Sequence, residues 1–209
     1  MSTEVHTAEW YDTAFAEYPP YADTSMRHLY QQVAKMIPRL APVIDMGCGN
    51  GYLASALMGT GYKGEYMGLD FSEVAIQLAK EAVCFQNRQL IIPEFENFNK
   101  NRYNFQVQDL QKWEPEISVD THKTIFTCFE VLEHVSQDTD IVNLVPARSR
   151  FIFSVPNYWS RSHVRTYDSV GVAFTRFPQL SFNSWYILPT KQPEAAIYLY
   201  DTYRRADKW

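Results

Sequence analysis

Residues 43–51 read Val-Ile-Asp-Met-Gly-Cys-Gly-Asn-Gly, an apolar run that ends in Asp45, with Gly47, Gly49 and Gly51 after it at alternate positions. Lacking a Cβ, such a backbone can turn sharply and approach a ligand closely. Further acids stand at the ends of later apolar runs, at Asp70, Asp109 and Phe129-Glu130. Asp70 falls 25 residues after Asp45, a spacing suited to a carboxylate that accepts both hydroxyls of a ribose. A second group lies in Phe129-Glu130-Val131-Leu132-Glu133-His134-Val135, where helical spacing would put Glu130, Glu133 and His134 on one side. His163 follows in Ser154-Val155-Pro156-Asn157-Tyr158-Trp159-Ser160-Arg161-Ser162-His163. An imidazole titrates near neutrality, so His134 and His163 are candidate bases, and Glu130 is grouped with them as catalytic.

These residues need a scaffold, and the apolar periodicity supplies one. Residues 8–37 read as two helical pieces broken at Pro19-Pro20, with Thr24-Ser25 capping the second. Val43–Asp45, Glu65–Asp70, Tyr103–Gln108, Thr124–Phe129 and Phe151–Val155 read as strands. Tyr52–Met58, a segment capped by Ser72, and Ile141–Val145 read as helices, and Glu130–Val135 as a helical turn. Residues 85–104 read as an insertion or long loop, with Leu90-Ile91-Ile92 as a candidate short strand. Ser181–Leu188 and Ala196–Tyr203 alternate as a pair of edge strands. The expected fold is α/β: a doubly wound, Rossmann-like, mostly parallel sheet with an antiparallel C-terminal edge hairpin. One domain is expected over 1–209, with a helical lid at 1–38, a cofactor-binding core at 40–157 and an acceptor-side segment with the terminal strands at 158–209.

A net charge of −5 argues against broad binding to nucleic acid or anionic membranes. Cys48, Cys84 and Cys128 show no metal-type spacing and are expected to be reduced, buried thiols of a cytoplasmic protein. The N-terminal residues show no signal-peptide pattern, and no uncharged apolar run reaches the roughly 18 residues that span a bilayer. Aromatic residues make up 15% of the chain, expected mainly in the core and edge strands, with a lid around a flat ligand as the alternative. Residues 141–180 carry Arg148, Arg150, Arg161, Arg165 and Arg176 against a single acid, Asp168, so an anionic ligand could find partners there.

Glycine turns of this kind also serve nicotinamide and flavin enzymes. Here no Lys-Ser/Thr follows the glycines, and Asp45 would repel a pyrophosphate. The ordered set over roughly residues 40–157 resembles the class I S-adenosylmethionine-dependent methyltransferases, whose first motif is Asp/Glu-x-Gly-x-Gly-x-Gly. The resemblance implies S-adenosylmethionine as cofactor, held by Asp45, Gly47, Cys48, Gly49, Gly51 and Asp70. It implies Phe71 beside the adenine, Asp109 accepting from its amino group, Leu110 packing on the base, and Phe129 at the fourth strand end. Glu130-x-x-Glu133-His134 with His163 also looks like the divalent-metal set of small-RNA 2′-O-methyltransferases, a mixed O/N site suited to Mg, Mn, Fe or Zn. Metal-free methyltransferases share Glu-Val-Leu-Glu-His, and the metal-free alternative is favoured here. Ser-Val-Pro-Asn with Ser-His-Val-Arg is closer to bacterial and phage methyltransferases that act on surface sugars or small metabolites. The expected activity is methyl transfer to oxygen or nitrogen of a small metabolite or sugar acceptor, with an anionic acceptor suited to the arginines. The alternatives are metal-assisted methylation of RNA and a cofactor-binding scaffold without catalysis.

Overall fold

A computed structural model describes residues 7–89, 102–115 and 122–206; the expected strand at Leu90-Ile91-Ile92 lies outside them. Two compact units divide the chain, at Lys112 and Trp113. In the first unit, α1 (Ala8–Ala16) and α2 (Arg27–Met36) flank Pro19-Pro20, where the missing N–H groups end any continuous helix. Thr24 Oγ1 accepts the Met26 N–H at 3.2 Å just ahead of α2, and Leu29 and Val33 are buried on one face of that helix. Then come β1 (Val43–Met46), α3 (Tyr52–Gly59), β2 (Tyr66–Asp70), α4 (Glu73–Gln89) and β3 (Tyr103–Val107). The strands are parallel in the order β3-β2-β1, with Asp45 opposite Gly68 and Gly68 opposite Phe105. All four β1 residues are buried, as an interior parallel strand requires. Ser72 Oγ accepts the Ala75 N–H at 3.0 Å and caps α4, which continues to Gln89, into the stretch expected to be loop.

The second unit holds β4 (Ile125–Cys128), α5 (Asp138–Asn143), β5 (Arg150–Pro156), α6 (Val170–Arg176), β6 (Leu180–Pro189) and β7 (Ala196–Arg204). Its strand order is β4-β5-β7-β6: β4 and β5 run parallel, while β7 is antiparallel to both β5 and β6. Phe153 stacks on Phe151 at 5.0 Å and on Tyr200 at 4.8 Å, all three fully buried. Burial at that level stabilises by about 1.5–3 kcal/mol per large side chain. The register shifts between Phe182 and Ser184, a bulge at Asn183 in the expected hairpin. The seven strands form the mixed, mostly parallel sheet of an α/β fold, with its antiparallel strands at the C-terminal end.

Three expectations change. Glu130–Val135 is a turn and not helical: Glu130 has φ 55°, and the His134 N–H bonds the Val131 carbonyl at 3.0 Å. The helix α6 was not anticipated. Cys48 and Cys128 are buried, but Cys84 is exposed on α4; all three are free thiols. Among the described residues no helix is long and apolar enough to cross a membrane.

Candidate functional site

The glycine turn after β1 is built from backbone groups. Gly47 and Cys48 both donate their N–H to the Leu69 carbonyl, at 2.7 and 2.9 Å, which fixes the turn to β2. Gly49 (φ 51°) and Gly51 (φ 79°) lie in the left-handed region that other residues rarely adopt. A Cβ on Gly51 would stand 3.0 Å from the Cβ of Ala79, so α3 and α4 can approach only because it is absent. Asp70 is buried, and its two oxygens accept one N–H each, from Gly49 at 2.8 Å and Ser72 at 3.0 Å. Burial pushes its carboxyl up to about 6 against the opposing effect of those N–H groups. Asp45, also buried, accepts the Tyr66 hydroxyl at 2.6 Å. Burial, then the charges of Asp70 and Asp45, push the Cys48 thiol well up, so it stays protonated.

α1 covers this turn. The Phe15 ring lies 3.1 Å from where a Cβ on Gly49 would be, and Tyr11 packs edge-on against Phe71 at 5.2 Å. Asp12 accepts the Ser72 hydroxyl at 2.5 Å, at the start of α4. Nothing in the sequence joined Asp12 to Ser72, 60 residues away. Phe71 is exposed, Leu110 half-buried, and Asp109 accepts the Gln111 N–H at 3.0 Å and pairs with Lys112 at 3.1 Å.

The second unit holds the carboxylate and imidazole groups. His134 and His163 meet edge-to-face with centroids 4.8 Å apart. Each is oriented through Nδ1–H, His134 to the Ser162 carbonyl at 3.0 Å and His163 to the Tyr158 carbonyl at 3.1 Å. In the neutral form of either ring, Nε2 is therefore the atom that carries the lone pair. Burial lowers the His163 pKa below its ordinary value, keeping that ring neutral at neutral pH. Glu133 is fully buried and neither carboxylate oxygen accepts a hydrogen bond; His134 Nε2 stands 3.7 Å from Oε1. Burial and then the Glu130 charge hold its carboxyl well above the ordinary range. One ligand atom each from Glu133, His134 and His163 lie within 4.8 Å of one another. Glu130 is not in that group of three. It accepts the Ser154 hydroxyl at 2.8 Å, its own N–H bonds the same Oγ at 3.2 Å, and burial raises its carboxyl to about 7. Phe129 is buried at the end of β4. Ser154 was quoted in a motif, but its grip on Glu130 is a contact across 24 residues that no spacing rule displays.

Most of the arginines are already engaged. Arg150 pairs with Asp201 through two bonds, at 2.8 and 3.0 Å. Arg176 clasps the fully buried Asp138 at 2.5 and 2.6 Å, Tyr167 donates to it at 2.9 Å, and Arg165 stands 3.3 Å away. Arg165 also donates to the carbonyls of Leu132, Val135 and Ser136. The acids that hold them, Asp138 and Asp201, lie outside the 141–180 window whose charge looked reversed.

A family model described as a methyltransferase domain matches residues 39–159, more than half of the chain. Comparison with curated protein sequences gives no match. Among solved structures, the chain is similar to magnesium protoporphyrin IX methyltransferase from Synechocystis PCC 6803 with bound SAM. That match has a TM-score of 0.55 and 18% identity, over 94% of this chain and 79% of that one. A SAM-dependent methyltransferase from Anabaena variabilis matches with a TM-score of 0.63 and 11% identity, over 98% and 99% of the two chains. The small RNA methyltransferase HEN1 matches with a TM-score of 0.65 and 15% identity, over 88% of this chain and 26% of that one. The first unit's residues fit the cofactor this family uses. Asp70 keeps lone pairs for ribose hydroxyls beyond the two N–H groups it accepts, and no lysine cradles a phosphate in the turn. The chain belongs to the methyltransferase-domain family and is an enzyme that uses S-adenosylmethionine.

Proposed function

We propose that this enzyme methylates an oxygen or nitrogen of a small acceptor, with His134 or His163 taking the acceptor's proton. The supporting observation is the shared orientation: each Nδ1–H is committed to a backbone carbonyl, so Nε2 is the atom through which either neutral ring would take a proton. S-adenosylmethionine, when bound, supplies an electrophilic methyl group on a sulfonium. Holding reactants in line supplies most of the acceleration, and a positioned base adds a factor of about 10²–10⁴. On the cofactor side, Asp70 takes the ribose hydroxyls on the turn formed by Asp45, Gly47, Cys48, Gly49 and Gly51. Phe71, Asp109, Leu110 and Phe129 serve the adenosyl group, and Glu130, fixed by Ser154, lines the acceptor side. The net charge of −5 and the engaged arginines favour a metabolite or sugar over nucleic acid. Exposed Arg161, two residues before His163, is the arginine placed to meet an anionic group on that acceptor. We assign the enzyme to the cytoplasm, in keeping with its free thiols. The test supplies methyl-labelled cofactor to cell extract and follows label into the small-molecule and RNA fractions. Label in small molecules, lost with His134→Ala or with His163→Ala, supports the reading; label confined to RNA, or label in small molecules untouched by either variant, overturns it.

A second reading, metal-assisted 2′-O methylation of RNA, draws support from the buried Glu133 carboxylate without hydrogen bonds beside two Nε2 lone pairs. Its structural neighbour HEN1 acts on small RNA. Under this reading a chelator abolishes turnover and a divalent ion restores it. Affinity for the ion would fall below pH about 6.5, because imidazoles must be neutral to ligate. Turnover untouched by chelation removes this reading and leaves the first.

A further inference from the structure

β6 ends the strand order of its unit, and among the described residues only β7 pairs with it. An edge strand presents a row of unpaired N–H and C=O groups, and proteins usually blunt it with charge, proline or short length. β6 does the reverse. It runs ten residues, Leu-Ser-Phe-Asn-Ser-Trp-Tyr-Ile-Leu-Pro, with no charge anywhere and its proline at the last position. Its bulge, at Asn183, leaves Ser184–Leu188 in regular register. Three consecutive large side chains there are exposed: Trp185 at 49%, Tyr186 at 39% and Ile187 at 60%. A contiguous exposed apolar patch on an open edge marks an interaction surface.

We propose that this enzyme forms a two-fold dimer in which β6 of one protomer pairs antiparallel with β6 of another, centred on Tyr186. The sequence of the strand is self-complementary in that register. Tyr186 meets its own copy, Trp185 meets Ile187 of the other protomer on one face, and Ser184 meets Leu188. Aromatic–aromatic and aromatic–β-branched pairs across strands are the stabilising kind, and a two-fold interface uses the same patch twice. The charge pattern of the strand is compatible with a second copy. Each chain carries −5, and a strand without charge lets two such chains meet with no like charges face to face.

The test measures mass by sedimentation across a concentration series of the full chain. The parent should move from one chain to two as concentration rises, and Ile187→Lys should hold it at one chain with unchanged circular dichroism. If Ile187→Lys fails to fold, Trp185→Lys is read in its place. Register is read by oxidation in a Cys84→Ser background. Directly opposed residues sit about 4.5–5.5 Å apart at Cα, within disulfide reach, so Tyr186→Cys should cross-link two chains. Ser181→Cys would be roughly 33 Å from its mate, at about 3.3 Å per residue, and should not cross-link. A parent that stays a single chain at every concentration overturns the proposal. So does a dimer indifferent to both lysine variants, or equal cross-linking at positions 181 and 186.

Discussion

The glycine turn and the imidazole cluster treat the same chemical group, a buried carboxyl, in opposite ways. In the first unit, each oxygen of buried Asp70 accepts one N–H group and buried Asp45 takes a tyrosine hydroxyl. In the second, Glu133 is buried more completely and its oxygens accept nothing. A satisfied carboxylate stabilises the turn it belongs to. An orphaned one costs free energy, on the order of 1–3 kcal/mol or more, unless it is protonated or gains a cation. The first region satisfies its buried carboxylates from its own backbone and hydroxyl groups. The second holds a carboxyl that must keep its proton or gain a cation to stay buried.

The largest effect should come from the second region. His163→Ala should lower turnover by about 10²–10⁴-fold, measured by label transfer, while affinity for S-adenosylhomocysteine changes by less than about two-fold. A parallel loss of cofactor affinity would erase the contrast between the regions. Next, Asp70→Ala should weaken S-adenosylhomocysteine by about 1.5–3 kcal/mol in calorimetry, because charge-assisted hydrogen bonds are lost. Unchanged affinity in a folded variant would remove Asp70 from the cofactor. Gly51→Ala should then reduce stability by about 1–3 kcal/mol in urea unfolding, since both its φ of 79° and the approach of Ala79 oppose a methyl group.

The smallest effect is a pH dependence with two signs. With its pKa raised to about 6, Asp70 favours the folded state most when protonated. Its contribution to stability is full below about 4, the unfolded value, and is lost as pH rises through about 6. Cofactor binding needs the ionised form, so affinity should fall about tenfold from pH 7 to pH 5. Matching slopes for unfolding and binding across that range would separate Asp70 from one of the two roles.

Much of the first region could be read from the chain. Apolar runs ending in acids gave β1 and β2, and Ser72 announced the start of α4, because these signals are local. The second region was harder for physical reasons. Glu-Val-Leu-Glu-His carries helical spacing, but Glu130 adopts a left-handed conformation and accepts the Ser154 hydroxyl, so the segment folds as a turn. α6 is built from Val-Gly-Val-Ala-Phe-Thr-Arg, a segment of weak helix propensity that packs Phe174 against Phe182 at 4.4 Å. The arginines looked available for a ligand because Asp138 and Asp201, their partners, meet them only through the fold.

The way α1 rests on the glycine turn has a kinetic meaning. A nine-residue helix with none of its residues buried does not persist alone in water. It is held by three side chains, Tyr11, Asp12 and Phe15, against β2's end, α4 and the turn. Helix melting at this length takes on the order of a microsecond, far faster than opening of the sheet. The turn is therefore expected to uncover and cover itself many times within a single catalytic cycle, and amide exchange along α1 would record that rhythm.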